Sequence, residues 1–387
     1  MRLLALFALI ATVIYGCTSA RLIWMPATNS ADPLYRIVKD GRAGFIDAAG
    51  HVVIPPTLPV IDEGGQAFED GLLSLGMAEG PFLTTNGQRV LDNHFYRIWS
   101  FSEGLAAAME TPGSMWGYID RTGKFAIPPK FPSYPKGVVS SFSEGLAAVE
   151  VEGKLGYIDR TGAFVIVPQF AAGTPFENGL ARVVVSGPCV YWKYDSIDPC
   201  IAGSPATAPT TQAGGARTTN PGPTCQWIFI DKTGRKAISS QFEGAMAFHE
   251  GLAAVRSGGQ WGFLNLQGSY EIYPAFLSVH SFSDDLALVA NAQISGFIDK
   301  SGALKIPVDF HKAEPFSEGL SAIGSPTEGY IYIDTTGKQA IPGRYLLASR
   351  FFHGLAHVKL APDTGPDRHG TYAYINKSGK RVYQYKR

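Results

Sequence analysis

The fold of this chain is decided by residues 142–168, which read FSEGLAAVEVEGKLGYIDRTGAFVIVP. Two parts of this stretch, Phe-x-x-Gly-Leu and Tyr-Ile-Asp-x-x-Gly, return along almost the whole sequence with a period near 34 residues. A fixed period of this length marks a repeat architecture in which each copy is one small structural unit. The first part begins at Phe68, Phe101, Phe142, Phe176, Phe248, Phe282, Phe316 and Phe351. The second part ends at Gly50, Gly123, Gly162, Gly234, Gly302 and Gly337, with looser copies at Gly87, Gly268 and Gly379.

Each copy predicts three short β-strands. The segments Leu146–Val151 and Gly156–Asp159 are rich in β-branched and aromatic residues and are separated by a glycine, as in a hairpin. A third strand follows, such as Phe164–Val167, and we expect it to stop at a proline because proline cannot donate to a sheet ladder. The prolines at these strand ends are Pro128, Pro168, Pro307 and Pro342.

The most regular feature is a turn in which Asp stands three residues before Gly. Asp at the first position and Gly at the fourth are typical of a type I turn. The Asp carboxylate can accept a hydrogen bond from the backbone two residues on, while the Gly adopts a positive φ. Such carboxylates could also be read as calcium ligands or paired acids, but the turn accounts for them, and we assign them a structural role. They are Asp47, Asp120, Asp159, Asp231, Asp299 and Asp334.

The repeat predicts an all-β tandem array of about nine three-stranded modules of ~34 residues, spanning residues 34–387. A single module cannot bury its apolar face alone, so neighbours must share a core. We expect three aromatic positions to form these junctions: the Phe of Phe-x-x-Gly-Leu, the aromatic of Tyr/Phe-Ile-Asp, and a Phe just past the third strand. An open, superhelical or solenoid-like stack is the first expectation. A closed, propeller-like ring is the alternative, although nine modules exceed the 4–8 blades usual in propellers.

Composition fits this array and excludes one class of function. Of the 387 residues, 45% are hydrophobic, and the 44 Gly and 26 Pro suit many short strands and turns. The formal net charge is zero. The excess positive charge that drives nonspecific nucleic-acid binding is therefore missing, and we expect no nucleic-acid partner.

Catalytic motifs are missing as well. The sequence contains no Gly-x-Ser-x-Gly, no His-Glu-x-x-His and no Walker or dinucleotide-binding glycine loop. His353 and His357 are four residues apart, but Gly354 and the strand context argue against a helical zinc pair. We therefore expect a non-enzymatic protein with no catalytic site, no metal site and no cofactor.

The N-terminus predicts a targeting segment. Arg2 precedes an apolar run from Leu3 to Ile14 that is too short to span a membrane comfortably. The end of this run resembles a bacterial lipoprotein signal, which implies cleavage and lipidation at Cys17. Residues 1–17 are then the signal peptide and residues 18–33 a tether. Thr18 favours outer-membrane delivery by resemblance to Gram-negative lipoproteins, and the alternative is secretion after cleavage behind Ala20.

Residues 186–226 interrupt one hairpin with a segment rich in Gly, Pro and Thr. The three cysteines beyond Cys17 all lie here, and in an oxidising compartment two of them should pair. Cys189–Cys225 would pin the base of the loop and Cys200–Cys225 would close its later half; both remain open. The aromatic residues of the insertion either cover the neighbouring module or form a binding patch for glycan or protein. These residues are Tyr191, Trp192 and Tyr194.

Three sequence stretches resemble one bacterial repeat family. They are Trp116-Gly-Tyr-Ile-Asp, Trp261-Gly-Phe-Leu-Asn and Lys154-Leu-Gly-Tyr-Ile-Asp, and they resemble the Trp-Gly repeat, also called WG or KWG. The resemblance covers almost everything from residue 34 onward. It implies a β-rich repeat, often on secreted or surface proteins, and supplies no catalytic residues.

These observations together predict an envelope-anchored binding or scaffolding protein for a protein or glycan partner, because repeat arrays expose extended surfaces. A purely structural envelope protein is the alternative. A third hypothesis is a hydrolase with a site near the insertion, but no sequence motif supports it.

Overall fold

The computed structural model describes residues 33–60, 68–75, 82–91, 95–133, 139–186, 225–360 and 370–386. In this part of the chain the structure is β throughout, apart from one short 3-10 helix, Phe310–Lys312. The strands form nine modules, as the repeat predicted. Modules 1 to 5 contain β1 (Tyr35–Lys39), β2 (Arg42–Ile46), β3 (Val52–Pro59); β4 (Leu72–Ser74), β5 (Phe82–Thr84), β6 (Arg89–Val90); β7 (Arg97–Ile98), β8 (Ala106–Met109), β9 (Trp116–Ile119), β10 (Phe125–Phe131); β11 (Ala147–Val151), β12 (Lys154–Ile158), β13 (Phe164–Phe170); and β14 (Ala172–Gly173), β15 (Leu180–Ser186), β16 (Gln226–Asp231).

Modules 6 to 9 continue the same antiparallel order, and the long strand β27 is shared between modules 8 and 9 in one six-stranded sheet. Their strands are β17 (Gly244–His249), β18 (Leu252–Ser257), β19 (Gln260–Asn265), β20 (Tyr270–Phe276); β21 (Ser278–Val279), β22 (Ala287–Ala290), β23 (Ser295–Ile298), β24 (Leu304–Pro307); β25 (Leu320–Ser325), β26 (Gly329–Asp334), β27 (Gln339–Ala348); and β28 (Leu355–Leu360), β29 (Thr371–Asn376), β30 (Arg381–Lys386).

We call the three predicted strands of a module first, second and outer, and all modules except module 5 contain all three. In module 5 two isolated bridges, Trp227–Phe242 and Ile230–Lys236, stand in place of the outer strand. Modules 3 to 9 add a short inner strand or bridge, which pairs with the first strand and precedes the Phe-x-x-Gly-Leu turn. In module 4, for example, Val139 pairs with Val149 of β11. This fourth element was not predicted, because in most modules only one or two of its residues are paired, which is too few to show a period of two.

The prediction that proline ends the third strand was wrong. In module 3, β10 continues from Phe125 through Pro128 and Pro129 to Phe131, and a register shift between Ile127 and Phe131 accommodates the prolines. β13 and β27 likewise pass through Pro168 and Pro342, and only β24 ends at its proline. The reason is that at these prolines the strand pairs with the second strand alone and its other side is a sheet edge, where the missing N–H costs no ladder bond.

The predicted aromatic junctions are present. The aromatic side chain of the second strand packs on the Phe of the next module's Phe-x-x-Gly-Leu turn, with ring centroids 4.7–5.2 Å apart. Such tilted and edge-on pairs add about 0.5–1.5 kcal/mol to the burial of the rings. The pairs are Phe45–Phe68, Phe82–Phe101, Tyr118–Phe142, Tyr157–Phe176, Phe229–Phe248, Phe263–Phe282, Phe297–Phe316 and Tyr332–Phe351.

The array closes into a ring. The closed, propeller-like ring that was the alternative expectation is therefore the architecture of this fold, and the open stack is not. Tyr374 of module 9 packs on Tyr35 of module 1, with ring centroids 5.5 Å apart. The Tyr35 hydroxyl donates to the carbonyl of His353 at 2.6 Å, and the buried residues of both modules form one apolar cluster. Period and strand pattern are the same in an open and a closed array, because closure depends on the small rotation between modules summed over the chain.

On one face of the ring, hydrogen bonds link the Phe-x-x-Gly-Leu turns of consecutive modules. Each turn has two central residues with positive φ, such as Glu144 (φ 53°) and Gly145 (φ 85°), as in a type I′ hairpin turn. The carboxylate of Glu144 accepts a hydrogen bond from the N–H of Gly179 in the next module, at 2.9 Å. We call this contact a clasp. The other clasps in the described residues run from Asp70 to Gly104, Glu103 to Gly145, Glu250 to Asp285, Asp284 to Gly319 and Glu318 to Gly354.

Most clasps carry an ion pair as well. Lys232, which follows the Asp of the next module's Asp-x-x-Gly turn, places its Nζ 3.1 Å from the Glu144 carboxylate. Between modules 5 and 6 both partners are replaced, because Asn178 occupies the acidic position and Leu266 the basic one. The Asn178 amide donates instead to the carbonyl of Phe248 at 2.9 Å. The remaining ion pairs of this kind are Arg121–Asp70, Arg160–Glu103, Lys300–Glu250 and Lys377–Glu318.

Candidate functional surface

The ring has two faces with different turns. Because the strands of a module alternate in direction, the Phe-x-x-Gly-Leu and Asp-x-x-Gly turns lie on one face, which we call the turn face. The turns between first and second strands, such as Glu152–Gly153, lie on the opposite hairpin face. Residues 187–224 connect β15 to β16 and therefore leave the array from the hairpin face.

On the turn face, the structure places each predicted Asp in the expected turn geometry. The Oδ1 atom of Asp159 accepts hydrogen bonds from the N–H of Thr161 at 2.8 Å, the hydroxyl of Thr161 at 2.6 Å and the N–H of Ala163 at 3.1 Å. These hydrogen bonds, led by the Thr161 hydroxyl, lower the pKa of the Asp159 carboxyl below its usual value. Hydrogen bonds within the turn likewise lower the pKa of the other turn carboxyls, which are those of Asp47, Asp120, Asp231, Asp299 and Asp334. In these turns the lone pairs of Oδ1 are occupied by the turn itself.

In the described residues, half of the exposed large hydrophobic side chains lie on the outer strands. Tyr273 is 74% exposed and Val167 is 63% exposed. Tyr270 and Tyr273 stack with ring centroids 5.4 Å apart and an angle of 28° between them. We call the exposed apolar side chains of the outer strands the rim. It consists of Val52, Val53, Phe164, Val165, Val167, Tyr273 and Leu304.

The rim lies on strand edges that are poor templates for a further strand. Val167 is followed by Pro168, and Tyr273 by Pro274, within the edge strands β13 and β20. Proline offers no N–H, and the bulge beside it twists the edge away from a flat ladder. The rim can therefore make side-chain contacts with a partner while its backbone resists pairing with another chain.

A cleft of about 540 Å³ lies between the outer strand of module 1 and the hairpin of module 2. Its polar lining consists of Arg42, Arg89, Thr57 and Asn86, and the rest is mainly aliphatic and proline. The Arg42 guanidinium also donates to the carbonyl of Thr57 at 3.3 Å. None of the described residues that line the cleft is a carboxylate, histidine or cysteine, so the lining supplies positive charge without an acid–base pair.

Titratable groups form no metal-binding cluster in the described residues, where no group of three His, Cys, Asp or Glu side chains comes together. One ion pair near the ring centre consists of two groups whose pKa values are shifted. Arg350 and Glu314, on the inner strands of modules 9 and 8, lie 3.8 Å apart. Burial raises the pKa of Glu314 and lowers that of Arg350, and their attraction opposes both shifts. The pair joins two modules.

Of the cysteines, only Cys225 lies in the described residues, and it is disulfide-bonded. Its partner lies outside the described residues, so the choice between Cys189 and Cys200 stays open. The lipidation position and the aromatic patch of the insertion also fall outside them. These residues are Cys17, Tyr191, Trp192 and Tyr194.

Sequence reasoning missed the clasps and the rim. An acidic residue precedes the Gly at Glu103, Glu144 and Glu318, and this regularity was a visible signal that turn chemistry alone does not explain. The rim was hidden because Val165 and Val167 belong to an apolar run that reads as a buried strand.

No helix of the described residues is long and apolar enough to cross a membrane. The chain resembles solved structures in fold alone. A crystal structure titled as the eukaryotic initiation factor is 9% identical, with 92% of this chain and 96% of that chain covered and a TM-score of 0.54. The computationally designed Ika8 protein is 13% identical over 74% of this chain and 85% of its own, with a TM-score of 0.39. A quinonprotein alcohol dehydrogenase-like protein from Bacteroides thetaiotaomicron is 10% identical over 92% and 75%, with a TM-score of 0.34.

No curated protein matches the chain. A family model described as "WG containing repeat" matches it six times. The matched segments are residues 116–154, 156–187, 227–261, 261–291, 296–323 and 332–360. Each contains second-strand and turn residues that form the junctions described above. The chain therefore belongs to the family of proteins built from WG-containing repeats.

Proposed function

We propose that this protein is a non-enzymatic binding or scaffolding protein of the cell envelope, held there by a lipid on Cys17, and that its rim contacts a protein or glycan partner. One observation carries the binding role: the exposed apolar and aromatic side chains are concentrated on the rim. Exposed apolar side chains that follow one another on a surface strand, as Phe164, Val165 and Val167 do on β13, are typical of interaction surfaces. Tyrosine rings such as Tyr270 and Tyr273 provide apolar faces with hydroxyl groups, which suit both protein and sugar surfaces.

The test of binding compares a rim variant with a matched surface variant. Val167→Ser with Tyr273→Ser removes two prominent rim side chains, while Leu266→Ser removes one that is 51% exposed but lies on the turn face. In pull-downs from envelope extracts, we expect saturable capture of one partner by the wild type and by Leu266→Ser. Capture by the rim variant should fall at least tenfold. Unchanged capture would refute the rim, and no saturable capture by any form would favour a purely structural envelope protein.

The anchor has its own test. Metabolic acyl labelling in a Gram-negative host should label the full-length protein and leave Cys17→Ala unlabelled. A mature chain that begins at Arg21 without lipid would remove the anchor and favour secretion.

A further inference from the structure

The cleft between modules 1 and 2 is lined by two arginine side chains. Arg42 begins β2 of module 1, and Arg89 begins β6 of module 2. Arg89 stands opposite Leu83 in the β5–β6 pair, and Leu83 packs in one apolar cluster with Ile54 and Leu58 of module 1. Directly opposed residues place their side chains on the same side of a sheet, so Arg89 also faces module 1. The lining therefore receives one guanidinium group from each of two modules.

The cleft lies beside a module with short strands. In module 2, β4, β5 and β6 contain three, three and two residues, against five, five and seven in β11, β12 and β13 of module 4. The cleft volume of about 540 Å³ lies within the range of roughly 300–1,000 Å³ that is usual for small-ligand sites. The short strands of module 2 thus leave room for a ligand beside the outer strand of module 1.

A small side chain on that outer strand also keeps the cleft open. At the junction of modules 3 and 4, Lys130 crosses between the modules, and its Nζ donates to the carbonyl of Gly162 at 2.9 Å. The equivalent residue of module 1 is Thr57, which stands three residues after Ile54, as Lys130 stands three residues after Ile127. Both isoleucines pair with the aromatic residue of the second strand. Because threonine lacks the length of lysine, the space beside it is left to a ligand.

The remaining polar groups of the lining suit the hydroxyl groups of a ligand. The Oδ1 atom of Asn86 accepts hydrogen bonds from the Thr84 hydroxyl and, at 3.2 Å, from the N–H of Gln88. The amide N–H groups of Asn86 are therefore what it can offer to a ligand. The Thr57 hydroxyl donates to the carbonyl of Pro55 at 3.4 Å, and its oxygen can still accept. A donor and an acceptor thus stand beside the two guanidinium groups.

The lining favours an anionic sugar over a peptide. A guanidinium group binds a carboxylate through two parallel hydrogen bonds, and none of the described lining residues is an acid that would compete for it. A peptide that adds as a further strand needs backbone N–H groups at the edge of the sheet. Three of the eight residues of β3 are prolines, which lack this group; they are Pro55, Pro56 and Pro59. A sugar is bound through its hydroxyl groups, for which side chains suffice.

We propose that the cleft binds a carboxylate-bearing sugar residue of a glycan. Arg42 and Arg89 bind the carboxylate, and Asn86 and Thr57 bind the hydroxyl groups. Val53 belongs to both the cleft lining and the rim, so the cleft is a charged subsite beside that surface. The site extends the binding role proposed above, on which it rests, and gives the partner a chemical class. The lipid anchor plays no part in it.

Isothermal titration calorimetry of the purified protein tests the site. The acidic probes are trigalacturonate and a hyaluronan tetrasaccharide, and the neutral control is maltotriose. We expect an acidic probe to bind at least tenfold more tightly than maltotriose. Arg89→Gln should weaken this binding at least tenfold, and Arg42→Lys at least threefold, because lysine keeps the charge but not the paired hydrogen bonds. Arg235→Gln, which removes an exposed arginine of module 5, should leave it unchanged.

Thr57→Lys separates the cleft from a general attraction between charges. This variant adds a positive charge, but its side chain should cross to module 2, as Lys130 crosses to Gly162, and fill the cleft. We expect the acidic probe to bind at least tenfold more weakly, and equal or tighter binding overturns the proposal. Failure of both acidic probes to bind more tightly than maltotriose overturns it as well. A triglutamate peptide that binds as tightly as the acidic sugars would replace the glycan by an acidic peptide.

Failure of this site can be told apart from failure of the rim. Val167→Ser with Tyr273→Ser alters modules 4 and 6 and should bind the acidic probe as the wild type does. If the probe binds but the pull-down captures no partner, the rim is refuted and the cleft stands. If a partner is captured through the rim but neither acidic probe binds, the cleft alone is refuted.

Discussion

The rings of Tyr35 and Tyr374 lie 5.5 Å apart and are tilted by 59°, although the two residues stand near opposite ends of the sequence. The same kind of contact joins every other pair of neighbouring modules. Here both partners are tyrosines, whereas the other junctions place a Phe on the turn. We call the contact between modules 9 and 1 the seam. Its hydroxyl groups make it the junction with the strongest expected dependence on alkaline pH.

Ionisation of Tyr35 should weaken the seam. Burial, and secondly the charge of Glu318, raise the pKa of Tyr35 to about 12, against about 10 in the unfolded chain. The folded state therefore holds this proton more tightly, and the stabilisation is complete below pH 10 and lost as the pH rises toward 12. Tyr35→Phe should be less stable at neutral pH, because the bond to His353 is lost, but its stability should decline less between pH 10 and 12. Urea unfolding at several pH values measures this, with Tyr96→Phe, which is exposed, as the control. An identical decline in the wild type and Tyr35→Phe would contradict the assignment.

The clasp of Glu144 should contribute measurably to stability. Glu144→Ala leaves the Gly179 N–H without its carboxylate, and an orphaned, partly buried donor costs about 1–3 kcal/mol. Glu152→Ala is the matched control, because Glu152 has nearly the same φ, 52° against 53°, but lies in an exposed turn on the hairpin face. The backbone cost of replacing Glu by Ala at positive φ therefore cancels between the two. Equal losses in urea unfolding would mean that the clasp contributes nothing.

Two glycines separate backbone strain from contact between modules. Gly162 and Gly145 have φ values of 80° and 85°, so alanine is strained at both by a similar amount. A Cβ at Gly162 would lie 2.7 Å from the Ile127 side chain of the preceding module, whereas a Cβ at Gly145 would meet nothing within 4 Å. We expect Gly162→Ala to be less stable than Gly145→Ala by about 1–3 kcal/mol, the usual cost of overpacking. Thermal unfolding of the two variants measures the difference in stability. Equal unfolding midpoints would show that the Ile127 side chain moves aside without a measurable cost in stability.

Acid should weaken the Asp-x-x-Gly turns. The lowered pKa of Asp159 means that its contribution is present above the pKa of an unfolded Asp, about 4, and is lost as the pH falls through the folded value. Asn376 makes the same turn without a charge, accepting bonds from Ser378 and Lys380. Asp159→Asn should therefore keep the turn and flatten the loss of stability below pH 4. A variant whose acid unfolding curve matches that of the wild type would contradict this explanation.

The sequence was sufficient to predict those structural features that recur in every module. The period predicted the modules, the Asp and Gly spacing predicted the turns, and the recurring Phe and Tyr predicted the junctions. Each of these depends on residues within one module or on its next neighbour.

Features that depend on geometry between modules could not be predicted. Closure results from the rotation between all the modules, which no single copy contains. The clasps require the carboxylate of one turn to reach the amide of the next, and the sequence gives no distance between turns. The paired loss of charge at Asn178 and Leu266, 88 residues apart in sequence, is understandable only after the structure shows that they share a junction.

Every clasp points the same way, from a module to its successor, so each junction is a head-to-tail contact between unlike surfaces. Repeated head-to-tail contacts form a ring when the rotation closes and a filament when it does not. Opening the seam would expose the Tyr35 surface at one end of the molecule and the Tyr374 surface at the other. Because these surfaces are complementary, opened molecules could join end to end, and a weakened seam would convert a self-contained ring into a building block for linear polymers.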